Sequence, residues 1–177
     1  MLYLKKKMYA AKMYTSPSDK CKLDIKGIAL TRGDSAILTK NLQLTAIKLI
    51  IENPHSAWES VKQLVNNEIA TIKDQGIEAF IQSKKLGANY KHPDRQIQVC
   101  VVNKMRERGH SVPAVGDRVS YVIGMESNGG SGVRAMADCP NHIANINYNH
   151  YIQSLIFRPM KDILSVLRPD WKSFFNM

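Results

Sequence analysis

The hydrophobic pattern changes its period along the chain, and that change predicts how the chain is organised. Over the first thirty residues apolar and polar positions alternate loosely. Leu2–Lys5 and Tyr9–Thr15 read as two strands around a Lys5–Met8 turn, the pattern of a β-hairpin. SPSDK, residues 16–20, reads as a loop, because Ser-Pro and Ser-Asp both favour turns. Cys21–Leu30 reads as a third strand with Gly27 as a bulge. Three short strands make a small antiparallel piece that needs more structure around it to be stable.

From Ser35 the period becomes helical. Leu38, Leu42, Ala46 and Leu49 fall on one face, and Ile37, Ile47 and Ile51 widen it. Pro54 stops that helix. Ser56 and Glu59 form an S-x-x-E capping box ahead of Trp58, Val61, Leu64, Val65, Ile69 and Ile72, again at helical spacing and ending at Asp74–Gly76. Trp58 belongs to this core pattern and carries no predicted role. Ile77–Ser83 is short and apolar and reads as extended. A further helix is expected from His92-Pro93 through Arg108, ended by Gly109. Arg118–Gly124 reads as a strand after a Gly116-Asp117 turn, and SNGGSG, residues 127–132, as an exposed loop tip. Asn147–Phe157 and Pro159–Leu167 read as two short helices separated at Pro159. The expected class is α+β: a small antiparallel sheet, then a mainly helical region with a short strand element. There is no internal repeat.

Composition sharpens the picture through charge. The chain has 177 residues and a formal net charge of +10, with 44% hydrophobic content. That content fits a folded domain, and no apolar run is long enough to span a bilayer, so no membrane partner is expected. The three cysteines, Cys21, Cys100 and Cys139, are scattered and odd in number, which suggests reduced thiols and an intracellular setting. The basic residues are unevenly spread. Residues 1–40 hold nine Lys/Arg against three Asp, and residues 84–118 hold eight against three acids. Residues 41–83 between them hold three Lys against five acids. Such a distribution favours a polyanionic partner over scattered solubility charge.

Catalytic chemistry is absent from the pattern. His55, His92, His110, His142 and His150 never recur at metal-ligand spacing, the acids are dispersed singly, and no phosphate-binding loop is present. No catalytic residue, metal site or cofactor is assigned to this chain. Its residues point to binding.

Three collinear stretches resemble the C-terminal end of family B, delta-like DNA polymerases. KKKMYAAKMY looks like the K-K-x-Y hairpin of that family's palm, and DIKGIALTRGD is similar to the K-G…R-R-D segment that follows. GDRVSYVI, after a basic helix, resembles G-D-R-V-P-Y-V-I. INYNHYIQSLIFRPMKDIL resembles the Asp-x-x-Tyr-Tyr…Lys-Pro helices that close the thumb. Met8 stands where many members have Arg, Ser120 where they have Pro, and Asn147 where they have Asp.

The resemblance implies that residues 1–34 are the end of the palm and residues 35–177 the thumb with a C-terminal tail. It implies contact of Lys6, Lys7 and Tyr9 with the nascent duplex near the primer end, with Lys26, Arg32 and Arg118 extending the track; Arg118 could equally brace Asp117. Double-stranded primer–template DNA and the upstream palm, fingers and exonuclease parts of the enzyme are the implied partners. The family's metal-holding aspartates would lie upstream of this chain, so Mg²⁺ is expected only in the complete polymerase and the chain alone is expected to be inactive. The end of the chain just past the thumb is more like a viral enzyme, with the host nucleus or a viral replication compartment as its location. The alternatives are a stand-alone, sequence-independent nucleic-acid-binding module and a structural interaction protein whose charge is incidental. In the tail, RPDWKSFF, Trp171, Phe174 and Phe175 match the spacing of a sliding-clamp ligand, making a clamp or other processivity factor a candidate partner. The competing expectation is that these rings fold back as a plug on the thumb.

Overall fold

The computed structural model describes residues 1–14, 16, 22–125 and 132–175. In chain order the elements are β1 (Leu2–Lys5), β2 (Met8–Met13), β3 (Lys22–Lys26), α1 (Ile37–Glu52), α2 (Ala57–Ala70), β4 (Gln82–Lys85), α3 (Ile97–Glu107), β5 (Arg118–Ile123), α4 (Val133–Met136), β6 (Ala137–Asp138), α5 (Tyr148–Tyr151) and α6 (Arg158–Leu167). A π-helical segment, Ile152–Phe157, joins α5 to α6. The α+β class with an initial antiparallel sheet, a helix-rich remainder and an embedded short strand element is what the pattern predicted. Among the described residues no helix is long and apolar enough to cross a membrane.

The chain packs as two compact units. Unit 1 comprises Met1–Arg32, Leu38–Asp74 and Ile152–Met177, and unit 2 comprises Gly33–Ile37 and Gln75–Tyr151. This is a division by packing, whereas the expected segments 1–34 and 35–177 are what the resemblance implies for the order along the chain.

In unit 1 the sheet order is β1-β2-β3, antiparallel throughout, with Leu2 opposite Ala10 and Tyr9 opposite Lys26. Leu2 and Ala10 bury their side chains on one face of this sheet. Helix α6 packs against β1 and α2. Its buried positions, Met160, Ile163 and Leu164, are spaced to form a single stripe. Helix α1 buries Leu38, Leu42, Ala46, Ile47 and Ile50, but also two polar residues, Thr39 and Gln43. The expected apolar face is therefore rotated. Ile37 is exposed, and Leu49 and Ile51 are only half-buried.

The reason for that rotation lies in Pro159. A proline inside a helix has no N–H to donate to the carbonyl four residues earlier. Here that carbonyl belongs to Leu155, and the buried Thr39 hydroxyl donates to it at 2.8 Å. Gln43 Nε2 donates to the Pro159 carbonyl at 2.8 Å, and Gln43 Oε1 accepts from the Leu30 N–H at 2.8 Å. The expected break at Pro159 is absent. The helix instead widens to π geometry just before the proline and resumes as α6, with α1 supplying the missing donor.

In unit 2 the sheet order is β4-β5-β6, antiparallel, and α3 packs on it. Val119, Tyr121, Val122 and Ile123 of β5 are buried together with Phe80, Val101 and Val102. The Tyr151 hydroxyl accepts from the Ile123 N–H at 2.7 Å, and its ring lies 5.1 Å from Phe80. Asn147 caps α5 by accepting from the His150 N–H at 3.0 Å, so amide in place of carboxylate preserves the capping bond. Asp138 receives a bidentate pair from Arg108, at 2.7 and 2.5 Å, and Lys104 Nζ donates to the Ala135 and Ala137 carbonyls. Burial pushes the Asp138 carboxyl up, but Arg108, the Cys139 N–H and Lys104 outweigh it and hold the group below its ordinary value.

Other expectations need correction. The third strand is Lys22–Lys26, shorter than Cys21–Leu30, because Gly27 adopts φ +73 and leaves the sheet; Cys21 lies outside the described residues. The loop expected at residues 16–20 lies outside them beyond Ser16, and most of the tip expected at 127–132 lies outside them before Gly132. Ser56 makes no capping bond; it ends a 3-10 turn, Pro54–Ser56, that leads directly into α2. Ile77–Phe80 is a 3-10 turn and not extended, so the strand begins at Gln82 and includes Lys84 and Lys85. Phe80 explains the difference: its ring is fully buried from the turn, a placement that apolar content alone does not distinguish from a strand.

Replacing Thr39 by Val removes the donor at nearly constant volume and leaves the Leu155 carbonyl buried without a partner. The expected cost is about 1–3 kcal/mol, read from chemical denaturation of the parent and the T39V protein.

Candidate nucleic-acid interface

In unit 1 three consecutive lysines, Lys5, Lys6 and Lys7, sit at the β1–β2 turn. Lys6 and Lys7 form the turn itself, and Lys7 has φ +66, the left-handed conformation that closes so tight a connection. Both lysines are exposed, and neither ammonium pairs with a described residue. Lys5, their neighbour, is tied to Asp162 of α6 at 2.6 Å, which anchors one arm of the turn. The turn is backed by Gly27. A Cβ on that glycine would stand 2.2 Å from the Lys7 carbonyl oxygen and 2.9 Å from the Met8 side chain. The close approach of β3's end to the lysine turn therefore requires glycine there.

Tyr9 and Lys26 face each other across β2 and β3, with the Lys26 ammonium 5.8 Å from the Tyr9 ring centroid. The Tyr9 hydroxyl donates to Asp24 Oδ2 at 2.7 Å. Hydrogen bonding to Tyr9, with the Asp24 carboxylate nearby, raises the Lys26 pKa from its ordinary value. Arg32 is exposed just after the Ala29–Thr31 turn that follows Gly27. Unit 1 thus presents Lys6, Lys7, Lys26 and Arg32 from one continuous stretch of sheet and turn.

Arg118 belongs to unit 2. Its Nε donates to Ser83 Oγ at 2.9 Å and its NH2 group to the Ser83 carbonyl at 3.1 Å. It does not brace Asp117, which instead accepts from the Ala114 N–H at 3.0 Å. Sequence reasoning missed Lys85, which the β4–β5 register sets directly opposite Arg118. Like charges in that relation repel, and an anion lying over both relieves the repulsion. The Lys84-Lys85 dipeptide was the visible signal, but its partner is set by a strand register between segments more than thirty residues apart.

The tail forms the short helical turn its spacing predicts, Trp171–Phe174, but its rings do not share one direction. Trp171 is buried, 6.0 Å from Phe157 between ring centroids, and its indole N–H donates to Ser165 Oγ at 3.0 Å. Phe175 lies 5.4 Å from Phe157. Phe174 turns the other way, 5.2 Å from Trp58 with the Arg168 guanidinium 4.3 Å from its ring, and is the most exposed of the three. Any clamp using all three rings must compete with these contacts. Among the described residues no group of three or more His, Cys, Asp or Glu could hold a metal ion.

The site is thus a sheet-backed lysine turn on a helix-rich body, with the Lys6 and Lys7 ammonium groups unpaired with any described residue. The family model for DNA polymerase family B matches residues 1–167, and the chain belongs to that family. It is 32% identical, over 99% of its length, to the DNA polymerase delta catalytic subunit of Plasmodium falciparum (isolate K1 / Thailand), and 29% identical, over 90% of its length, to that of Arabidopsis thaliana. The chain spans only 16% and 15% of those two proteins. The family B DNA polymerase from the hyperthermophilic archaeon Pyrobaculum calidifontis shares the fold over 91% of this chain and 20% of its own, with a TM-score of 0.71 at 22% identity. The expected viral source gains no support from these cellular relatives.

Gly27→Ala places a methyl group against the Lys7 carbonyl at a backbone conformation that L residues rarely adopt. It should destabilise the protein by about 1–3 kcal/mol, measured by denaturant titration.

Proposed function

We propose that this chain is the primer–template-gripping part of a DNA polymerase, with residues 1–34 the end of the palm and the remainder the thumb. The observation that carries the reading is the Lys6–Lys7 turn: two ammonium groups that pair with no described residue, on a stiff hairpin, in a chain of the DNA polymerase family B. Ammonium groups so presented reach phosphate oxygens and minor-groove acceptors shared by all base pairs, so they hold a duplex without reading its sequence. Tyr9, Lys26 and Arg32 continue the contact in unit 1, and Arg118 with Lys85 supplies a second contact from unit 2. The exposed Arg118 is oriented by Ser83, which leaves part of its guanidinium edge for a phosphate.

In this reading nucleotidyl transfer belongs to the complete enzyme, whose aspartates outside this chain hold two Mg²⁺ ions. The upstream palm, fingers and exonuclease parts are its partners, and its location is wherever the cell or a replication compartment copies DNA.

Replacement of Lys6 and Lys7 by Ala should weaken duplex binding equally on every sequence. It should also lower the salt slope of log K by roughly one to two units, about one for each phosphate that is no longer neutralised. Fluorescence titration of a labelled duplex across a salt series reads both quantities. An unchanged slope removes the lysine turn from the interface.

Primer extension should be undetectable with the 177-residue chain, Mg²⁺ and nucleoside triphosphates, and should appear when the upstream palm is supplied as a separate chain. Extension by the isolated protein contradicts the proposed division of labour.

A further inference from the structure

Unit 1 carries a second basic feature that duplex gripping does not use. Gln153, Phe157, Arg158, Lys161, Trp171 and Lys172 surround an open pocket of about 220 Å³. Gln153 and Phe157 come from the π-helical segment, Arg158 and Lys161 from successive turns of α6, and Trp171 and Lys172 from the terminal turn. Phe157 is 5% exposed and Trp171 3%, so the floor offers ring edges only, and the long stems of the three basic residues supply apolar walls. Arg158, Lys161 and Lys172 are exposed and unpaired with any described residue. The acids nearest in sequence are engaged elsewhere, Asp162 with Lys5 and Asp170 with Arg168, and among the described residues no acid lines the pocket.

Three uncompensated cations around an apolar floor repel one another in the free protein, and an anionic partner relieves that repulsion. The volume lies below the ~300–1,000 Å³ usual for small-molecule sites, and suits one side chain better than a cofactor. A nucleic-acid backbone could use the cations but has nothing apolar to place on the floor. A single-stranded base needs an open aromatic face to stack on, and both faces here are covered. We propose that this pocket docks an acidic peptide segment of a protein partner, with one aliphatic or aromatic side chain over the Phe157 and Trp171 edges and flanking carboxylates on Arg158, Lys161 and Lys172. The tail whose spacing resembles a ligand is, in this structure, part of a receptor. The proposal does not depend on the duplex-gripping role.

The test is fluorescence anisotropy on the full 177-residue chain with a fluorescein-labelled peptide, GDEDLFDEDG, as probe. Saturable binding that weakens with salt is expected. Arg158→Glu with Lys161→Glu should raise the peptide Kd by about tenfold or more while leaving the melting temperature unchanged, since both side chains are exposed. The same peptide with its Leu-Phe pair replaced by serines should bind about tenfold more weakly. A labelled DNA duplex should bind the double variant with much less loss than the peptide shows. Absence of saturable peptide binding overturns the proposal, as does equal binding of the serine peptide. A duplex affinity that falls as far as the peptide's assigns these cations to nucleic acid and overturns it too.

Discussion

A proline within a helix leaves one carbonyl without its donor, and unit 1 is organised around the side chains that answer for it. Thr39 supplies the donor to Leu155, and Gln43, one turn further along α1, holds the Pro159 carbonyl. The other end of the same glutamine amide accepts from Leu30, the residue that carries the chain away from the three-stranded sheet. One buried side chain therefore couples the sheet's exit, the first long helix and the C-terminal helix. Each of these polar groups would cost about 1–3 kcal/mol if buried and unpaired, so the three segments hold one arrangement rather than several. The exposed Lys5–Asp162 bridge adds alignment but little energy beside it.

That arrangement sets what the lysine turn can do. Gly27 fits against the Lys7 carbonyl where no side chain can, so the end of β3 supports the turn from behind. Lys6 and Lys7 are thereby held outward by backbone, with their charges unpaired with any described residue. Two cations of unit 2 are used in the opposite way. Lys104 and Arg108, which read as part of a basic helix end, are turned inward to backbone carbonyls and Asp138. Basic residues of similar appearance in the sequence thus divide into structural and available ones, and only the available ones can meet an external anion.

The terminal aromatics illustrate a related division. Their spacing is compatible with insertion into a partner's pocket, yet Trp171 and Phe175 close on Phe157 while Phe174 stacks under Arg168. The buried Phe157 and Trp171 leave a floor ringed by Arg158, Lys161 and Lys172. A motif read in one direction, as something that inserts, becomes in three dimensions something that could receive.

Periodicity by itself determined the hairpin, the positions of the long helices, the strand after Gly116 and the two basic segments, because each depends on residues close together in the chain. The short motifs were enough to indicate the family. Tertiary structure alone decided the rest. Thr39 and Gln43 are polar residues that the periodicity does not single out, and they are buried because carbonyls more than a hundred residues away need donors. Pro159 read as a break, and the helix continues because that donor arrives from α1. Ile77–Ser83 read as extended, and its first four residues turn so that Phe80 can reach Tyr148 and Tyr151. Lys85 could not be set opposite Arg118 without the strand register. In each case the local pattern was correct about polarity and silent about partners, since hydrogen-bond satisfaction in a buried interior is settled between segments and not within them.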